Sequence, residues 1–233
     1  MSLKNSLNYI LTRFSGYKLV NKSLDVHLQL LLDEKYGHRL SRESGQAVDE
    51  KNNPIPWMTY PAIEYIEQFD LRDKTIFEWG SGNSSLYFSK RCKQITSIET
   101  KKDWFDIMQQ RRNENMNIIF KDSSLASKSI NDFDTKFDLI FIDSSTNRFE
   151  CAKEASAKLN SGGLIILDNS DRYLKAAQHL KSQGYLQVDM HGIGPIVKFT
   201  TTTSFFFDRT FDWKILGDRQ PRYSRAAINE SSL

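Results

Sequence analysis

In this sequence of 233 residues, acids and small polar residues recur directly after short apolar runs. The first such place is Glu78-Trp79-Gly80-Ser81-Gly82-Asn83-Ser84; Glu99, Asp122, Asp143 and the pair Asp168-Asn169 follow, each closing a β-rich run. Glycines at 80 and 82 permit a tight turn and the close approach of a ligand to the backbone, and a helix starting just beyond them would offer free N–H groups. An acid closing the next run, Glu99, is placed to accept both hydroxyls of a ribose. Together they are the opening of a nucleotide site.

Glu78 discriminates between nucleotide ligands. It stands two residues before the first glycine, where a carboxylate would repel a pyrophosphate and attract a cation. At 4 Å and an effective dielectric of 20 that attraction is about 4 kcal/mol. The ammonium and sulfonium groups of S-adenosylmethionine suit it, and Ser85 stands where a dinucleotide fingerprint wants its third glycine. The bland alternative is that Glu78 accepts hydrogen bonds from loop N–H groups. A nicotinamide-dependent oxidoreductase and a catalytically silent binding or scaffold protein are the rival functions.

These residues need a scaffold that brings strand ends together. Prolines fall at 54, 56 and 61 and not again until Pro195. Between them, strands at Thr75 to Trp79, Gln94 to Glu99, Asn117 to Lys121, Phe137 to Asp143 and Gly163 to Leu167 are expected. They alternate with helices from about Pro61 to Phe69, Ser84 to Arg91, Lys102 to Asn113, Phe149 to Leu159 and Asp171 to Ser182. Such alternation predicts right-handed crossovers and a parallel sheet covered on both faces, with ligands beyond the carboxyl ends of the strands. Leu186 to Met190 and Thr201 to Phe207 are joined by His191-Gly192-Ile193-Gly194-Pro195, too short for a helical crossover, so they should be antiparallel neighbours. The expected fold is a Rossmann-like, seven-stranded, mostly parallel α/β sheet with an antiparallel last strand.

Flanking segments differ in character. Leu3, Leu7, Ile10, Leu11 and Phe14, then Leu24, Leu28, Leu31 and Leu32, make two helical stripes, which could pack on the domain or pair two copies as a homodimer. Residues 37 to 56 are polar and read as a long loop or lid linker. The expected division is an N-terminal helical appendage and linker over 1–56, a ligand-binding domain over 57–208 and a tail over 209–233.

Composition excludes other classes. There are 32 basic and 29 acidic residues, for a net charge of +3, which speaks against a protein that grips nucleic acid through phosphates. Only two cysteines occur, Cys92 and Cys151, without neighbours at zinc-ligand spacing. No apolar run approaches the roughly 18 residues of a membrane span. Stable membrane insertion is therefore not expected, and a cytoplasmic location is.

Phe77-Glu78-Trp79-Gly80-Ser81-Gly82, Glu99, Asp122 and the run Phe137 to Asp143 resemble the class I S-adenosylmethionine-dependent methyltransferases over roughly residues 57 to 207. That resemblance implies a methyl donor held by Glu78, Gly80, Gly82, Glu99 and Asp122; Ser81, Asn83, Ser84 and Asp143 adjoin the same turn and crevice. Ser84 takes the family's third glycine position. Asp143 with Asp168-Asn169 resembles the trio that holds a divalent cation, such as Mg²⁺, in catechol-type O-methyltransferases, although Thr146 stands where those enzymes carry a lysine. The cation is left open, because the trio could equally orient loops and cap a turn. Asp143, Asp168 and His191 are the candidate bases, and Trp57, Thr59, Tyr60, Asn169 and Arg172 the candidate acceptor contacts. Ile142-Asp143-Ser144-Ser145 lacks the Asn/Asp-Pro-Pro-aromatic pattern of amino-methylating DNA enzymes, so a small-molecule hydroxyl is the expected acceptor and nucleic acid is not.

Overall fold

The strands predicted from apolar runs form one sheet in the computed structural model, which describes residues 19–145 and 147–227. The strands are β1 (Thr75–Trp79), β2 (Gln94–Glu99), β3 (Met116–Phe120), β4 (Phe137–Ile142), β5 (Leu159–Leu167), β6 (Leu186–Ile193) and β7 (Thr200–Phe207). Their order is β3-β2-β1-β4-β5-β7-β6. The first five run parallel, and β7 lies antiparallel between β5 and β6. The order reverses between β1 and β4, and that switch point opens a crevice beyond their carboxyl ends.

Side chains alternate between two apolar layers, as the two-residue period of a strand requires. Ile76, Leu139, Phe141, Ile166 and Phe205 pack against helices α3 (Tyr60–Ile66), α4 (Asn83–Ser89) and α5 (Lys102–Arg111). Phe77, Trp79, Ile140, Ile165 and Leu167 face α7 (Arg148–Lys158) and α8 (Leu174–Ser182), whose contact residues Cys151, Ala152, Ala155, Ala176 and Ala177 are small. A short α6 (Ser123–Ala126) follows β3. Both cysteines are buried in these layers.

Several boundaries differ from expectation, each for a tertiary reason. β5 begins at Leu159, because a register shift in its pairing with β4 lets the chain enter the sheet before the glycines at 162 and 163. β6 runs to Ile193, so His191 and Gly192 are ladder residues paired with Thr202 and Thr201 instead of a turn. α8 starts only at Leu174, since Asn169 at φ 52° turns the chain after β5. The segment 37–56 is not a free loop: it holds α2 (His38–Ser44), a bridge between Val48 and Pro54, and buried Ala47, Val48 and Ile55. A single seven-residue helix is too short to show a periodic stripe.

The second N-terminal stripe lies on α1 (Leu19–Tyr36), where Leu32 and Tyr36 pack on the core; the first, Leu3 to Phe14, lies outside the described residues, as does Thr146. The C-terminal residues return over α3. Trp213 is buried against Phe69 and Phe211, Ile215 bridges Phe69, and the Arg225 guanidinium pairs with Glu67.

Gly192 near the end of β6 and Gly194 just past it are explained by close approach. A Cβ on Gly192 would lie 3.0 Å from Pro61 Cδ, and one on Gly194 only 2.6 Å from the Met58 carbonyl oxygen. This contact sets the strand end against the chain that carries Trp57 and Met58 to the crevice. Gly194→Ala should therefore destabilise the protein by about 1–3 kcal/mol through overpacking. A urea denaturation midpoint equal to that of the unsubstituted protein would refute this account.

Candidate functional site

The crevice at the β1/β4 switch point is a cleft of about 530 Å³ whose lining includes Glu78, Gly80, Ser81, Ser84, Glu99, Asp143, Asp168 and Asn169. Of the strand ends predicted to converge, those at Glu78, Glu99, Asp143 and Asp168-Asn169 do so, and Asp122 does not line the cleft. At its head, Gly80 has φ 116°, and an added Cβ would meet the Asp143 carbonyl oxygen at 3.2 Å, so both conformation and space call for glycine there. Gly82 N–H donates to Ser85 Oγ at 3.0 Å, closing the first turn of α4. Asn83 is buried; its amide donates to the Ala47 carbonyl at 2.7 Å, and it lines an adjoining cavity of about 240 Å³ with Gly82 and Trp57.

Glu78 and Glu99 are held differently. Glu78 is 1 % exposed. One of its oxygens accepts from the Ser84 hydroxyl, and the other accepts from Ser85 at 2.5 Å and Ser97 at 2.8 Å. These partners are serine hydroxyls, where the alternative reading expects loop N–H groups. Burial pushes its pKa up to about 7, against the pull of those three hydroxyls and with a further push from the Glu99 charge. Glu99 accepts from Ser81 Oγ at 2.7 Å and from the N–H groups of Thr100 and Lys101 at 2.8 and 2.9 Å. Trp104 donates from its indole to the Ser81 carbonyl at 2.7 Å and walls the cleft beside Lys101.

On the β4 and β5 side, Asp143 is about 30 % exposed and ion-paired with Arg148 at 2.7 Å, whose own side chain is 7 % exposed. Asp168 is buried and accepts from Thr203 Oγ1 at 2.7 Å; that threonine in turn accepts from the Thr59 N–H at 3.1 Å. Burial raises both carboxyls above their ordinary range. Asp168 is raised further by the charge of Asp143, while the Arg148 guanidinium pulls both back. Asn169 Oδ1 accepts from Arg148 at 3.3 Å.

That arrangement does not fit the divalent cation suggested by the trio. Arg148 bridges the side-chain oxygens of Asp143 and Asn169, and the Asp168 carboxyl is bonded to Thr203 on β7. Among the described residues, no group of three or more His, Cys, Asp or Glu side chains could hold a metal ion. Arg148 is the residue that sequence reasoning missed. The only signal for it in the sequence is a basic residue five positions after Asp143.

The remaining candidates separate. Trp57 is 49 % exposed at the mouth, and Arg172 lies over the Phe199 ring at 5.2 Å; all three line the cleft. Thr59 and Tyr60 do not. Thr59 is buried and donates to the Met190 carbonyl at 2.9 Å, and Tyr60 packs against Tyr36 with its hydroxyl 3.1 Å from His38 Nδ1. Asp122 is exposed and caps α6, where the Ser124 N–H and hydroxyl hold its carboxyl below the usual range. His191 lies within β6, 2.7 Å from Thr202 Oγ1, and is not a cleft residue.

The raised pKa of Glu78 has a thermodynamic sign. Its ordinary value is 4.5, so between about pH 4.5 and 7 the folded chain binds a proton that the unfolded chain has released. The associated stability is present at low pH and is lost as pH rises through 7, amounting to about 3 kcal/mol. Glu78→Gln should flatten this slope in denaturant titrations run from pH 4.5 to 7.5. Equal slopes in the two proteins would contradict the assignment.

No protein-family model matches the sequence, and neither does any curated protein. Solved structures resemble the fold. The precorrin-6y C5,15-methyltransferase of Geobacter metallireducens superposes with a TM-score of 0.53 at 17 % identity, covering 64 % of this chain and 87 % of that one. Fibrillarin of Methanococcus jannaschii, described as a pre-rRNA processing protein, gives 0.50 at 17 % identity, over 65 % and 76 %. Aeropyrum pernix fibrillarin, solved with natively bound S-adenosyl-L-methionine, gives 0.50 at 14 %, over 63 % and 72 %. The chain thus has the Rossmann-like fold of the class I S-adenosylmethionine-dependent methyltransferases.

Proposed function

We propose that this protein is an S-adenosylmethionine-dependent methyltransferase acting on a hydroxyl oxygen of a small-molecule acceptor. The observation that carries the reading is the meeting of Glu78, the Gly80 turn and Glu99 around one cleft, where a cationic nucleoside finds two carboxylates and a backbone without an obstructing Cβ. Residues and ligand are suited. Glu99 is the acceptor for ribose hydroxyls, Ser81 and Gly82 shape the turn, and Glu78 supplies negative charge toward the cationic half. Bound there, S-adenosylmethionine would supply an electrophilic methyl group.

The chain's own task is then alignment and proton handling. Asp143 and Asp168 are our candidates for accepting the acceptor's proton, since both line the cleft and have carboxyls raised toward the working range. His191, bonded into the β6–β7 ladder, is not assigned that role. Trp57, Phe199, Arg172 and Asn169 are the proposed acceptor contacts. A volume of about 530 Å³ suits a donor with a compact acceptor, within the ~300–1,000 Å³ of small-molecule sites. Two of the structural neighbours are fibrillarins, so the fold itself does not argue against RNA; the small volume and balanced charge favour the small acceptor. No helix among the described residues is long and apolar enough to cross a membrane.

Calorimetric titration with S-adenosylmethionine tests the reading, and NAD serves as the control. Saturable binding of the first and none of the second is expected. Glu99→Ala should weaken donor binding about 10- to 150-fold, the equivalent of a hydrogen bond to a charged group at ~1.5–3 kcal/mol. Absence of donor binding up to millimolar concentration would overturn the proposal, and unchanged affinity in Glu99→Ala would overturn the role of that carboxylate.

A further inference from the structure

Arg148 is an improbable residue for its position unless something nearby demands a cation. It opens α7 directly after the cap residue Asn147, at the helix end where the peptide dipole disfavours positive charge. It is nevertheless buried, and four hydrogen bonds fix its guanidinium. Nε donates to the Ser144 carbonyl at 2.9 Å, one terminal nitrogen donates to the Asp168 carbonyl and to Asn169 Oδ1, and the other donates to Asp143 Oδ1 at 2.7 Å. The Tyr173 ring lies 4.4 Å from its central carbon. Four of the five N–H groups of a guanidinium are thereby used on β4 and β5 strand-end oxygens. The side chain is locked, and its charge rests between the oxygens that would otherwise be available to a hard cation.

We propose that Arg148 is a built-in replacement for a divalent cation, holding Asp143 and Asn169 together at the cleft floor so that the site works without metal. A guanidinium carries one charge where Mg²⁺ carries two. It donates hydrogen bonds in a fixed plane and has no coordination positions to give up, whereas Mg²⁺ needs oxygens in near-octahedral geometry at about 2.0–2.1 Å. With four of its five N–H groups engaged, it has no pair of donors left to hold two oxygens of an acceptor. The acceptor class that follows is a single hydroxyl, not a vicinal diol. This rests on the methyl-transfer reading only for what the charge acts on; the occupation of the cation position stands on the hydrogen bonds alone. Arg148 acts here as a positioning residue.

Electron paramagnetic resonance of Mn²⁺ tests the replacement without any assay of turnover. Mixed with the unsubstituted protein, Mn²⁺ should stay free in solution. Arg148→Ala should gain one bound Mn²⁺ per chain, and Arg148→Ala combined with Asp143→Ala should lose it again. Arg148→Lys, which keeps the charge, should bind none. Should Arg148→Ala fail to fold by circular dichroism, Arg148→Gln, which can still donate to a strand-end carbonyl, takes its place with the same expected gain. Two results would overturn the proposal: one Mn²⁺ bound by the unsubstituted protein and abolished by Asp143→Ala, or no gain of Mn²⁺ in the folded neutral variant. Titration with S-adenosylmethionine in EDTA and in Mg²⁺ separates the two readings. No donor binding in either condition, with the Mn²⁺ results as expected, would defeat the methyltransferase reading and leave the replacement intact.

Discussion

Burying acids at the carboxyl ends of a central parallel sheet is the constraint around which this structure is arranged. A carboxylate removed from water costs several kcal/mol unless hydrogen bonds or an opposite charge replace the lost solvent. Acids wholly or partly buried meet in one crevice, and hydroxyls or a guanidinium offset the cost. Glu78 is surrounded by hydroxyls from α4 and β2, Asp143 has the Arg148 guanidinium, and Asp168 has the Thr203 hydroxyl. The residual cost appears as raised pKa values. A site that retains this cost is suited to a cationic ligand, which would relieve it.

The segments outside the sheet serve the same crevice. Asn83, one residue past the glycine turn, is bonded to Ala47, so the N-terminal segment is tied to the start of α4. Thr59 connects through Thr203 to Asp168, which links the start of α3 to a buried acid at the end of β5, the neighbour of switch-point strand β4. Gly194 packs against Met58 and so carries the β6–β7 connection to the cleft mouth, where Trp57 and Phe199 are. Residues read as acceptor contacts from sequence alone, Thr59 and Tyr60, therefore influence the site through packing and not by touching its contents.

Charge distribution explains why a net charge of +3 was uninformative about the site. Glu78, Glu99, Asp143 and Asp168 face a cleft that also contains Lys101, Arg148 and Arg172. Glu78 and Glu99 border the glycine turn, with Lys101 beside Glu99, whereas Asp143 and Asp168 share the β4 and β5 side with Arg148.

Much of this was legible in the primary structure, and the reason is locality. Apolar runs of five or six residues that must be buried on both faces announce parallel strands, and a glycine pair between a strand and a helix announces the turn, because those requirements are met by neighbours in the chain. The sheet, its antiparallel end and the convergence of Glu78, Gly80, Glu99, Asp143 and Asp168 followed from that. What needed tertiary structure were partners distant in sequence. In sequence alone His191 reads as part of a turn, because the length of β6 depends on its pairing with β7. The resemblance puts Asp122 with the donor, whereas its carboxylate caps its own helix. Above all, the trio of Asp143, Asp168 and Asn169 leaves a divalent cation open in the sequence, and only the folded chain brings Arg148 to those oxygens. Residue types specify which oxygens are available, whereas three-dimensional packing determines which positive charge reaches them.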